Sequence, residues 1–350
     1  MGTTDKKLTL GFIGNGKSAN RYHIPYLLQR SDYIRVKSIW RRRAENGPWA
    51  VIPSVEYTTD LDAMLADPEI NAVVISTPLQ AHYGMALKAL EAGKHCVVEK
   101  PFTETPEQAA ELFRLADKKG LVIEAYQNRR FDSDFLTVQK VIESGELGEL
   151  LEVELHYDYY RPEVPESQKE FTFNSSFLYG HACHTLDQAI SYFGAPERVV
   201  YDVRQLLGKG RMNDYFDLDL FYGANLKVSI KSSYFRVKQR PSFAVYGKRG
   251  CFVKETKDRQ EEHLKLFYLP GQPSFGLDLP EHYGVLTRYD ESGVFHEEKV
   301  PSVPGDYGRY YDAFYETVLH GGEKLVKDEE TLEQIRILSE GIRQMNAAQS

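Results

Sequence analysis

Cysteine is scarce. Cys96, Cys183 and Cys251 are the only three in 350 residues, far apart and without paired spacing. That excludes a disulfide framework and suits a reducing compartment better than secretion. Long apolar runs are also missing. No window approaches the roughly 20 apolar residues of a membrane span, and the opening "MGTTDKKLTL" lacks the apolar centre of a leader peptide. These absences predict a cytoplasmic protein with no membrane partner. Positive charge is in deficit, with 43 Lys and Arg against 51 Asp and Glu and a net charge of −8. Nucleic acid is therefore excluded as a general partner, because phosphate backbones need a basic face. An anionic ligand requires a local cluster of positive groups instead. Repeats and low-complexity segments are absent, and 42% hydrophobic with 27% charged residues describes an ordered globular chain. Its length exceeds one compact core, so two domains are expected.

What is present is a regular change of period. "LTLGFIG" (8–14), "IRVKSIW" (34–40), "AVVIS" (72–76), "HCVVE" (95–99) and "LVIEAY" (121–126) read as strands. Helical patterns lie between them over 17–30, 60–68, 80–92 and from Pro106 to Gly120, with Gly93 and Gly120 placed as C-terminal caps. Apolar strands separated by amphipathic helices predict α/β architecture, a doubly wound parallel Rossmann sheet. After a further helix over 131–145 the period turns to two. "LLEVELHYDYY" (150–160), "FDLDLFYG" (216–223), "LKVSIKSSYF" (226–235) and "FAVYGKRGCFV" (243–253) predict an antiparallel sheet in a C-terminal α+β domain. A helix at 184–194 and two in the tail complete it. The expected division is 1–127 and 128–350.

"GNGKSA" has the form G-x-G-x-x-A between a strand and a helix. Gly14 permits the turn, Gly16 leaves room for a pyrophosphate, and Ala19 allows close helix–strand packing. The free N–H groups of the helix start, with Asn15, Lys17 and Ser18 beside them, then face phosphate. At the end of the second strand an acidic residue would hold ribose hydroxyls. Here stand Trp40, Arg41, Arg42 and Arg43, with no carboxylate before Glu45. Guanidinium groups suit a 2′-phosphate, which a carboxylate would repel, so NADP(H) is expected over NAD(H). A solvated basic loop is the competing reading.

"VVISTPLQAHYGMALKALEAGKHCVVEKPFTETPEQAAEL" (73–112) resembles the Gfo/Idh/MocA oxidoreductases, through Thr77-Pro78, His82, "ALEAGKH" and above all Glu99-Lys100-Pro101. "YQNRRFD" (126–132) and a helix carrying His184 and Asp187 extend the resemblance over essentially the whole chain, which looks most like bacterial members of undefined substrate. The resemblance implies a dinucleotide-binding domain, 1–127, followed by a domain for substrate binding and oligomerisation, 128–350, built on a large open, mostly antiparallel sheet. The open face of that sheet implies a homodimer or homotetramer. Hydride transfer to or from a sugar, polyol or inositol-like substrate is implied by the resemblance as well. It also implies that Ser76, Thr77, Pro78, His82, Glu99, Lys100 and Gln127 meet the cofactor. Lys100 would be the catalytic acid/base and His184 would share proton transfer, with Asn128, Arg129 and Asp187 on the substrate side. A lysine at the carboxyl end of a parallel strand fits that role, provided its pKa is lowered by burial or a neighbouring charge. Imidazole fits its own role because it titrates near neutrality. Two departures stand out. Gly180 replaces an aspartate many members carry four residues before the histidine, and Leu79 replaces a frequent asparagine.

Tyr159 and Arg161 in "HYDYYRPEVP" suit a polyhydroxy small molecule, the arginine reading a carboxylate or phosphate; an ordinary solvent face of a sheet is the alternative. "HACH" (181–184) lacks a second ligand cluster, so no metal is expected. Two rival functions share these features: a non-catalytic nucleotide sensor, and a glycosidase using tightly held dinucleotide.

Overall fold

The computed structural model describes residues 7–44, 47–163 and 170–347; Glu45 lies outside them. The chain divides into two compact units, one of Met1–Asn128, His263–Phe275 and Tyr307–Leu332, the other of Arg129–Glu262, Gly276–Asp306 and Glu333–Ser350.

In the first unit, strands β1 (Leu8–Ile13), β2 (Ile34–Trp40), β3 (Glu56–Thr58), β4 (Ala72–Ile75), β5 (His95–Val98) and β6 (Ile123–Ala125) form one sheet. All pair in parallel, in the order β3-β2-β1-β4-β5-β6. Every residue of β1 and β4 is buried, as strands covered on both faces require. The order reverses between β1 and β4, the point where open α/β sheets leave a crevice at their carboxyl ends. Local signals set the helix ends. Thr105 accepts the Gln108 N–H over the start of helix Pro106–Lys119, Pro106 takes the first position, and Gly120 closes the helix at φ 63°.

The helical pattern over 17–30 is not one helix. A π-helical turn, Ala19–His23, precedes a short α-helix, Ile24–Leu28. Pro25 has no N–H to give to a carbonyl four residues back, so a continuous α-helix is broken there.

In the second unit, β7 (Leu150–His156), β8 (Arg198–Arg204), β9 (Tyr215–Tyr222), β10 (Leu226–Ser233), β11 (Phe243–Gly247), β12 (Gly250–Lys254), β13 (Gly284–Tyr289) and β14 (Phe295–Val300) form the second sheet. Its order is β14-β13-β12-β11-β7-β10-β9-β8. Every pair is antiparallel except β7 with β10. Three of these strands, β8, β13 and β14, have no clear sequence signal. β8 and β14 are the sheet edges and carry few buried residues, which weakens the apolar alternation. The expected run 150–160 stops being a strand at His156, although Tyr157, Tyr159 and Arg161 still donate backbone N–H bonds to Lys231, Ser233 and Tyr234. "FAVYGKRGCFV" is two strands joined by a tight turn at Lys248 and Arg249.

Candidate active site

The two glycines of the turn after β1 do different things. Gly14 has φ +119°, and a Cβ there would stand 2.7 Å from the Ser76 carbonyl oxygen. The Ser76 hydroxyl donates to the Gly14 carbonyl at 3.2 Å, tying the ends of β1 and β4 together. The protein itself therefore demands glycine at 14. A Cβ at Gly16 would meet nothing within 4 Å, so nothing in the protein demands glycine there. Gly16 instead lines an open cleft of about 450 Å³. Asn15 lines it too and is braced by the Asn20 amide at 2.9 Å, while Ala19 is fully buried behind the turn. Lys17 is exposed on the turn.

Trp40, Arg41, Arg42 and Arg43 form the far wall, and Ser76, Thr77 and Pro78 the wall after β4. Trp40 is oriented by its indole N–H on the Thr59 carbonyl at 3.0 Å. The Arg41 guanidinium stacks 5.2 Å from the Tyr57 ring centre. Arg42 and Arg43 are exposed and form no ion pair among the described residues. Among the described residues, no carboxylate lines this cleft. The Thr77 hydroxyl oxygen is buried there without a hydrogen-bond partner. Bare backbone at Gly16, an unsatisfied hydroxyl and three guanidinium groups suit a phosphorylated dinucleotide.

His82 was expected at the cofactor but does not line this cleft. It is buried, with Nδ1 on the Pro101 carbonyl at 2.9 Å and Nε2 on the Thr77 carbonyl at 2.8 Å. Both nitrogens are committed, so the ring braces the Thr77 turn against the segment after β5.

That segment carries Glu99 and the half-buried Lys100; the Lys100–Pro101 peptide is cis. Glu99 is fully engaged. Oε1 receives the Ser18 hydroxyl and His23 Nε2, the latter at 3.0 Å, and Oε2 receives the Lys100 backbone N–H at 2.9 Å. Burial alone would raise its pKa; the hydrogen bond and charge of His23, the charge of Lys100 and the Ser18 bond outweigh burial and hold it at about 2. His23 is completely buried, stacked at 3.9 Å on Tyr126, with Nδ1 on the Tyr311 hydroxyl at 2.5 Å. The chain Tyr311–His23–Glu99 thus ends on the backbone of Lys100. Sequence reasoning missed His23 and Tyr311. The signal available was "YHIP", a histidine one turn beyond the glycines, which periodicity reads as an ordinary helix position. Gln127 and Asn128, after β6, are buried.

In the second unit, a π-helical turn, Leu178–Ala182, leads into helix Cys183–Phe193. His184 and Asp187 lie in its first turns and are buried. Both Asp187 oxygens are taken by Arg130, at 2.8 and 2.7 Å. Arg129 pairs with Asp132 at 3.2 Å and with Glu261, and its backbone carbonyl accepts the Gln188 amide. Neither arginine is exposed. At Gly180 a Cβ would meet nothing within 4 Å. Tyr159 lies half-buried and Arg161 exposed just past β7, the guanidinium 4.5 Å from the ring centre.

Residues 8–127 match the family model described as oxidoreductase family, NAD-binding Rossmann fold, and residues 139–350 match the oxidoreductase family C-terminal alpha/beta domain. The chain belongs to the Gfo/Idh/MocA oxidoreductase family. It is 47% identical to the Escherichia coli (strain K12) uncharacterized oxidoreductase YhhX over 96% of each chain. It is 35% identical to scyllo-inositol 2-dehydrogenase (NADP(+)) IolW of Bacillus subtilis (strain 168), over 95% of this chain and 92% of that one. A crystal structure of an oxidoreductase from Bacillus cereus superposes with a TM-score of 0.91 at 44% identity, covering 96% of each chain. Family membership makes this chain an oxidoreductase with a nicotinamide-dinucleotide domain, as its "EKP" segment implied. Among the described residues no helix is long and apolar enough to cross a membrane.

Proposed function

We propose that this oxidoreductase is specific for NADP(H) and moves hydride to or from a hydroxyl-bearing carbon of a sugar, polyol or inositol-like molecule. The observation that carries the cofactor half is the cleft wall of Arg41, Arg42 and Arg43, with no carboxylate among the described residues that line it. A guanidinium pairs a phosphate oxygen in forked geometry, and the missing carboxylate removes the usual hold on a free ribose 2′-hydroxyl. The name of the Bacillus subtilis relative, an NADP(+)-dependent dehydrogenase of scyllo-inositol, supports both halves.

The nicotinamide, when bound, supplies the hydride acceptor or donor. The chain's task is to hold, orient and exchange a proton. Gly16 admits the pyrophosphate, Thr77 offers a hydroxyl, and the arginines read the 2′-phosphate. Lys100 takes the substrate hydroxyl proton as the C–H bond is lost in oxidation, and returns one in reduction. Its backbone is held by Glu99. His184 hydrogen-bonds the substrate oxygen and shares that proton. Residues 1–127 then form the cofactor domain and 128–350 the substrate domain. The open face of the second sheet pairs with another copy, giving a cytoplasmic homo-oligomer.

An absorbance assay at 340 nm with NADP⁺ and NADPH, run against sugars, polyols, inositols and keto-sugars, tests the reading. Lys100→Ala is expected to keep NADPH affinity within about twofold and lose turnover by roughly 10²–10⁴. Arg42→Ala and Arg41→Ala are each expected to weaken NADPH about tenfold while leaving NADH unchanged. Tighter binding of NADH than NADPH by the wild type rejects the phosphate assignment. Near-normal turnover by Lys100→Ala rejects the lysine.

A further inference from the structure

Past the end of β7 the second unit stacks cations and tyrosine rings in alternation. The Arg129 guanidinium lies 5.0 Å from the Tyr157 ring centre, and Lys257 Nζ lies 3.9 Å from the same centre. Lys257 Nζ is also 4.8 Å from the Tyr159 centre, whose ring carries Arg161 at 4.5 Å. The two tyrosine rings are 5.7 Å apart. Three positive groups are thus held over two rings.

Their counter-charges are unevenly shared. Glu261 and Asp132 answer Arg129, and Glu261 also accepts the Tyr157 hydroxyl at 2.9 Å. The neighbouring carboxylate, Asp158, gives both oxygens to Arg240 at 2.9 Å. Among the described residues Lys257 Nζ donates one hydrogen bond, to the Asp158 backbone carbonyl at 3.1 Å. Among the described residues neither Lys257 nor Arg161 forms an ion pair. An ammonium has three protons to give, and withdrawing it from water without an anion is unfavourable. Ring faces offset only part of that, roughly 0.5–2 kcal/mol per contact. Burial, and then the charge of Arg129, push the lysine's pKa down to about 8 against the opposing charges of Asp158, Glu261 and Asp134, so it stays mostly protonated at neutral pH. A purely structural lysine here would be expected to carry a carboxylate. Arg161, which is exposed, shares the Tyr159 ring with it.

We propose that Lys257 and Arg161, on the Tyr157–Tyr159 shelf, form a subsite for an oxyanion, so that the substrate carries a carboxylate or a phosphate group as well as its hydroxyls. This rests on reading the second unit as the substrate side of the enzyme. It assigns Lys257, which no motif marked, to recognition, and it narrows the substrate from any polyol to an acidic one. A guanidinium and an ammonium together give an oxyanion two kinds of charge-assisted bond.

The test uses the full chain saturated with NADPH, so that the arginines of the first unit are already occupied. The lysine side chains carry a ¹³C label at Cε, and the Lys257 signal is identified by its loss in Lys257→Arg. Acetate and inorganic phosphate are the probes, with chloride as the reference at equal ionic strength near neutral pH. The Lys257 signal is expected to titrate with one of the two at least about tenfold more tightly than with chloride. Acetate marks a carboxylate substrate and phosphate a phosphorylated one. Arg161→Gln, at an exposed position, is expected to weaken that response at least about fivefold. A Lys257 signal that responds to neither probe more than to chloride overturns the proposal, as does an unchanged response in Arg161→Gln. The readout needs no turnover. A protein that shows the response but never exchanges hydride keeps the subsite and loses the enzymatic reading; the opposite result does the reverse.

Discussion

Glu99 and Lys257 are both charged groups drawn out of water, and the protein treats them differently. The carboxylate of Glu99 has a partner on each oxygen: Ser18, His23 and the Lys100 backbone. The ammonium of Lys257 has one carbonyl and two ring faces. The same contrast separates Gly14, which the neighbouring strand requires, from Gly16, which nothing in the protein requires. A residue whose needs the protein meets is part of the scaffold. On the proposed reading, a residue whose needs it leaves open is where a ligand binds. Stability and binding should therefore respond in opposite senses across each pair.

The largest effect is expected at Glu99. Glu99→Ala leaves His23, Ser18 and the Lys100 N–H facing a void, and breaking such a buried set costs about 3–5 kcal/mol, read by urea unfolding. The carboxyl is held at about 2 when folded, below its ordinary 4.5. Its contribution is therefore complete above about pH 4.5 and lost as pH falls towards 2. Wild-type stability should fall through that window more steeply than that of Glu99→Gln. Equal slopes would mean the network holds the carboxylate no better than water does.

The glycine pair comes next. Gly14→Ala forces a left-handed residue against the Ser76 carbonyl, at a cost of roughly 2–3 kcal/mol. Gly16→Ala should unfold within about 0.5 kcal/mol of wild type while its NADPH affinity drops several-fold, measured by fluorescence titration. A Gly16→Ala variant that binds NADPH normally would collapse the contrast.

The smallest effect has the opposite sign. Removing an unpaired ammonium should help the fold, so Lys257→Met is expected to raise stability by about 1 kcal/mol at neutral pH. Its folded-state pKa, about 8, lies below the ordinary 10.5. Between those values the unfolded chain binds the proton and the folded chain does not, so this group's contribution makes stability rise with pH there. In Lys257→Met that rise should disappear. A destabilised Lys257→Met would place the lysine with Glu99, in the scaffold.

Much of the first unit is legible in the order of its residues. Parallel strands buried on both faces make continuous apolar runs, and glycine caps punctuate the helices between them. The G-x-G turn and "RRR" are local in sequence, so the cofactor cleft is legible as well. The edge strands β8 and β14 are not, because strands with few buried residues need little apolar alternation. His23 escapes for a different reason. Its role comes from Glu99 and Tyr311, 76 and 288 residues away, and no local pattern records such a meeting. Asp187 illustrates the same limit. A helix-face argument sets it beside His184, but its oxygens go to Arg130, 57 residues away.

By itself, then, the order of residues determined the alternation of strands and helices, the phosphate-ready turn, the arginines where an acid would otherwise stand, and the family through "EKP". Those properties depend on neighbours within a few positions, where backbone geometry and side-chain period act directly. Only the tertiary structure decided which charges are answered. It buried Glu99 among donors, took His82 out of the cleft, gave Asp158 to Arg240 and left Lys257 without an ion pair among the described residues. Charge pairing depends on distances of a few ångströms between residues far apart along the chain, and only folding sets those distances.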